Sequence, residues 1–108
     1  MVEGAIELNK TLARFYESIR EVYPIRKMLL YGSYAKGTTH KDSDIDVAVI
    51  VDRIAGKSRI DITENLFSLA STINNDIEPK CIFWDEFMNP DPASILAEII
   101  KTSREIVA

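Results

Sequence analysis

Between residues 5 and 23, Leu8, Leu12, Phe15, Tyr16, Ile19, Val22 and Tyr23 recur at helical spacing with Glu and Arg among them. That period predicts an amphipathic helix, ended by Pro24, whose apolar stripe covers a sheet. The pattern then changes. The short apolar run Met28 to Tyr31 predicts a buried strand over 27–31, broken by Gly32-Ser33 with a helical turn at 33–37. A second run, Ile45 to Val51, is rich in β-branched residues and predicts a strand over 44–51. Ile62, Leu66, Leu69, Ala70 and Ile73 mark a second amphipathic helix over 59–75, stopped by Asn74-Asn75-Asp76.

Residues 77–84 alternate loosely and predict a third strand, which Pro79 confines to a sheet edge or to the strand's start. Asp85-Glu86-Phe87 predicts a turn, and Asn89-Pro90-Asp91-Pro92 a break. A third helix over 93–101 follows, with Ile95, Leu96, Ile99 and Ile100 as its stripe. The tail at Arg104 to Val107 either extends that helix or returns as a strand. These elements make an α/β (α+β) fold, a small mixed sheet of three to four strands flanked by helices. At 108 residues, 1–108 is expected to be a single domain able to bury a core without staples.

Composition narrows the classes. The chain is 46% apolar and 28% charged, with a net charge of −4. That balance suits a soluble globular domain and argues against one that grips nucleic acid by its phosphates. The single cysteine, Cys81, excludes an internal disulfide. No apolar stretch approaches a membrane span and no signal-peptide pattern opens the chain, so the expected location is cytoplasmic.

The chemistry concentrates at residues 27–51. Asp44 and Asp46 stand at the mouth of the second strand, and residues two apart share one strand face. Side-by-side carboxylates repel each other and tend to bind a proton or recruit a cation. A few hard oxygen ligands suit Mg²⁺, which takes the rest of its shell from water and phosphate. Gly32-Ser33 sits at a strand-to-helix turn, where free N–H groups and the helix dipole favour an anion such as phosphate. Lys36 stands either to meet a phosphate or to remain a solvated surface charge. His40, the only histidine, and Lys41 read as solvated loop residues, and Ser43 as a turn or cap residue.

Gly32-Ser33, ten intervening residues and then Asp44-Ile45-Asp46 resemble the signature of the DNA polymerase β-like nucleotidyltransferase superfamily. Gly-Ser-Tyr-Ala-Lys-Gly followed by Asp-Ser-Asp-Ile-Asp is similar to its small, single-domain branch, the minimal nucleotidyltransferases. Other motifs fail on spacing. A P-loop requires lysine where Thr38 stands, and an EF-hand requires Gly and Glu where Val47 and Arg53 stand. A plain loop in which Asp and Ser only satisfy turns needs all four motif residues to coincide by accident.

The resemblance implies a nucleotidyltransferase-like fold that moves a nucleoside monophosphate from a triphosphate, with ATP the expected donor, to a hydroxyl, releasing pyrophosphate. It implies two Mg²⁺ ions held by Asp44 and Asp46, and phosphates held by Gly32 and Ser33. It also implies a third carboxylate from the third strand that helps activate the attacking hydroxyl. Glu78 is the candidate there, assisting the metal nearer the nucleophile, and is one methylene longer than the usual aspartate. Small members with this spacing resemble antitoxins that add AMP to a tyrosine of a HEPN-type ribonuclease toxin, so a protein partner is expected. Two other readings stand beside this one: a non-catalytic partner-binding module of the same fold, and a small-molecule nucleotidyltransferase completed by a second subunit.

Overall fold

The computed structural model describes residues 2–32 and 44–106. The readings made above for Ser33, Lys36, His40, Lys41 and Ser43, and for the helical turn at 33–37, fall outside them. The chain runs α1 (Val2–Arg20), β1 (Ile25–Tyr31), β2 (Ile45–Val51), α2 (Arg59–Ser71), β3 (Ile77–Phe83), α3 (Trp84–Met88), α4 (Ile95–Thr102) and β4 (Arg104–Glu105). The sheet order is β3-β2-β1-β4. β1 pairs antiparallel with both β2 and β4, while β2 and β3 are parallel neighbours joined through α2. Pro79 therefore lies in an outermost strand, where its missing N–H costs no ladder bond.

Helices cover both sheet faces. Leu12, Phe15 and Ile19 of α1 and Ile62, Leu66 and Ala70 of α2 pack against Met28, Leu30, Val47, Val49 and Val51. On the opposite face, Leu29, Ala48, Ile50 and Ile82 meet Ile99 of α4, with Trp84, Phe87 and Leu96 at the margin. This two-sided cover explains why β2 reads as an unbroken apolar run and not as an alternation. Among the described residues no polar or charged side chain is buried.

Several boundaries shift for local reasons. α1 ends at Arg20, before the predicted limit, because Val22 and Tyr23 both donate their N–H to the Ile19 carbonyl, each at 2.8 Å. Val22 is thereby turned out, at 56% exposure, while Tyr23 stays in the core. α2 begins with a reciprocal cap: the Ser58 hydroxyl accepts the Asp61 N–H at 3.2 Å, and the Asp61 carboxylate accepts the Ser58 N–H at 3.0 Å. These bonds hold the Asp61 carboxyl below its usual range. β3 stops at Phe83 because the Glu86 carboxylate accepts the Phe83 N–H at 3.0 Å, turning Trp84 into the first residue of a short helix.

Leu66 is fully buried on the inner side of α2. Leu66→Ala should destabilise the chain by about 3 kcal/mol, read as a lowered urea midpoint at unchanged slope.

Candidate functional site

The site forms where burial runs out at one end of the second sheet face. Antiparallel register sets Tyr31 opposite Asp46, and parallel register sets Asp46 beside Glu78. Laterally paired residues share a face. Three neighbouring strands thus carry one row, Tyr31–Asp46–Glu78, on the side where Ala48 and Ile50 lie buried further along β2. Asp46 is half-buried, and Asp44, just before the strand, is exposed, as is Glu78.

The row is electrostatically loaded. Partial burial and then the neighbouring Asp44 charge raise the Asp46 carboxyl above its ordinary value. Glu78 is raised by desolvation, then by the neighbouring Asp44 and Asp46 charges and a hydrogen bond with Asp44. Burial, followed by the charges of Asp46 and Glu78, pushes the Tyr31 phenol up to about 12, so it stays protonated at neutral pH. Each shift disfavours negative charge where negative charges are crowded.

Gly32 lies under the Asp46 carboxylate. Its φ is +73°, and a Cβ built there would stand 2.3 Å from Asp46 Oδ2. The sequence therefore needs glycine twice over, for the backbone angle and for the space. Gly56 shares the angle, with φ +80°, yet has nothing within 4 Å.

A cavity of about 520 Å³ opens over the Glu78 end of the row, lined also by Arg59 and Phe67 of α2, Pro79 and Lys80 of β3 and Leu96 of α4. A second cavity, about 240 Å³, opens over Gly32 against Ile95, Glu98, Ile99 and Thr102. Tyr31 and Lys80 line both. The Asp44, Asp46, Glu78 and Gly32 predicted from sequence come together here. Tyr31 and Lys80 were not singled out, although strand period places Lys80 on the face of Glu78 and Tyr31 immediately precedes the glycine. Arg59 and Phe67 carried no local signal, because only the crossover brings α2 beside β3.

As a cation site the donor set is all carboxylate oxygen, and a divalent ion relieves the repulsion that raises Asp46 and Glu78. The residues fit such an ion by charge and donor type. Among the described residues, however, no three His, Cys, Asp or Glu side chains converge as a preformed metal cage.

Two predictions follow from this packing. Gly56→Ala should cost about 1–2 kcal/mol, the left-handed backbone penalty alone. Gly32→Ala should lower the melting temperature further, because the methyl must also displace the Asp46 carboxylate. The second concerns pH. The Asp46 carboxyl is raised in the folded state, so ionising it opposes folding. That cost is absent below the ordinary aspartate value of 3.8 and complete above the raised folded value. Asp46→Asn should therefore melt higher than the wild type at pH 7 in chelator, and the gap should close as pH falls through the carboxylate range.

Residues 15–108 match the model of the family described as Polymerase beta, Nucleotidyltransferase. The chain is 34% identical over 74 residues to the protein adenylyltransferase MntA of Shewanella oneidensis, a stretch covering 67% of this chain and 50% of that protein. It thus spans about half the length of the curated relative it matches. A protein assigned as a nucleotidyltransferase from Sulfolobus solfataricus superposes with a TM-score of 0.67 at 17% identity, covering 96% of this chain and 83% of that one. A toxin–antitoxin with AMP-PNP superposes at 0.56 with 21% identity, and the toxin–antitoxin MntA-HpeT at 0.53 with 20%. Each of these covers 89% of this chain and 72% of the other. At such identities the superpositions bear on fold, and the four-stranded sheet with flanking helices agrees with the architecture expected from sequence.

Proposed function

Because the chain belongs to the polymerase-beta nucleotidyltransferase family, we propose that it moves a nucleoside monophosphate, AMP from ATP, to a hydroxyl of a partner protein. The observation that carries this reading is the Tyr31–Asp46–Glu78 row with Gly32 beneath Asp46. In-line displacement needs the leaving and attacking oxygens on opposite sides of the phosphorus. The row supplies an order for that. The leaving pyrophosphate lies at the Gly32 end on β1, the transferring phosphorus over Asp46 on β2, and the incoming hydroxyl at Glu78 on β3.

Asp44 and Asp46 would hold Mg²⁺, two ions by the family resemblance, with Glu78 serving the side of the hydroxyl. Bound there, the metal offsets the negative charge of the phosphate oxygens. Glu78 would accept the hydroxyl's proton, and Tyr31, kept protonated, would offer a donor beside the row. Gly32 leaves the space in which the Asp46 carboxylate sits. Glycine and carboxylate thus hold the two ends of the transferring group in register.

The acceptor reading draws support from the curated relative, a protein adenylyltransferase, and from structural neighbours that are toxin–antitoxin complexes. On that basis the partner is a toxin, expected to be of HEPN type, modified on tyrosine and thereby silenced. Two observations favour a non-catalytic binding module instead: the third carboxylate is a glutamate, and the described acidic side chains do not converge as a cage.

The deciding experiment is release of pyrophosphate from ATP with Mg²⁺ and a tyrosine-containing peptide as hydroxyl acceptor, alongside calorimetric titration of the same nucleotide. Asp46→Asn should lower release more than about 100-fold, since even outer partners of metal ligands are worth 10–100-fold. Its melting curve should stay cooperative. Unchanged release in that variant would remove the metal-clamp assignment, and no release from the wild type would favour the binding module.

A further inference from the structure

The 520 Å³ cavity runs away from the carboxylate row along the open edge of β3, and nothing in the transfer chemistry itself uses its far end. We propose that this edge is the docking groove for an extended segment of the acceptor protein, with an acidic residue two positions from the modified hydroxyl. The inference rests on the nucleotidyltransferase reading and names the surface and sequence context through which it acts.

The edge is closed at both ends and open between them. At one end the Ile77 N–H bonds the Asn74 carbonyl at 3.2 Å. At the other, Arg59 donates to the Cys81 carbonyl at 2.8 Å, and the Phe83 N–H is taken by Glu86. These bonds show that the odd-numbered residues of β3 turn their backbone away from β2. Between them, the Pro79 carbonyl and the Cys81 N–H have no partner among the described residues. One residue of an incoming strand fills that acceptor and donor together.

Side chains agree with the backbone. Phe67 stands over the groove at 45% exposure, an aromatic surface outside both core clusters. Lys80 shares the face of Glu78 two residues along and has no carboxylate partner among the described residues. Two strand residues span about 7 Å. A segment laid beside β3 with its hydroxyl at Glu78 therefore sets its side chain two positions away, on that same face, against Lys80. An acid fits there. The nucleobase is the rival occupant, but the phosphates belong at Gly32 on β1, two strands away, where the smaller cavity opens.

The test uses the whole chain, ATP labelled at the α-phosphate, Mg²⁺, and a library of nonapeptides with a central tyrosine and randomised flanks. The wild type should label peptides enriched in Asp or Glu two positions from tyrosine. Lys80→Glu should turn that preference to Lys or Arg, and Phe67→Ala should raise the peptide KM about tenfold while the KM for ATP holds. The proposal is overturned by a flanking preference that ignores Lys80→Glu, or by Phe67→Ala acting on the KM for ATP. It is equally overturned if AMP is released to water with no peptide labelled. Absence of both AMP release and labelling sinks the transferase reading itself, and this inference with it.

Discussion

Side chains alternate across a strand, so sliding β2 by one residue against β1 or β3 would carry Asp46 to the face of Val47 and bury it. The register is held by the cores on both faces: Val47, Val49 and Val51 fit beneath α1 and α2, while Ala48 and Ile50 fit beneath α4. No single contact positions the acidic row. It is set by the same packing that stabilises the domain, and a carboxylate crowded against its neighbours is the local cost.

The cationic side chains at the opposite ends of β2 and β3 show a different solution to exposure. Arg53 and Arg59 lie over the Phe83 ring, at 4.3 and 4.8 Å from its centre. Arg53 forks onto Asp85 at 2.8 and 3.1 Å, which holds that carboxyl below its usual range. Arg26 spans Asp52 and the Trp84 ring. Exposed pairs of this kind contribute little to stability individually. Their position matters more, because they cover aromatic surface and part of an outer strand that would otherwise invite unwanted pairing.

Most of the architecture was legible along the chain. Helical stripes, the β-branched run of β2 and the breaker at Pro90 each state a local preference that the packing keeps. Strand boundaries moved where a single side chain intervened, as Glu86 does at Phe83. The site was legible in its glycine and paired aspartates because their chemistry is compressed into one short stretch. Glu78 needed the resemblance, since nothing around it in sequence marks it as more than a solvated acid. Arg59 and Phe67 were silent for a geometric reason: one-dimensional order cannot say which helix borders which strand.

Those two residues belong to a helix that faces two ways. Ile62, Leu66 and Ala70 on its inner side are locked into the core, whereas Phe67 and Ile60 on its outer side are exposed. Substitutions on the outer side neither open a cavity nor disturb the acidic row. The helix therefore separates what holds the fold from what a partner meets. Two descendants of such a gene could drift apart in the surfaces they present without either passing through an unfolded or inert ancestor.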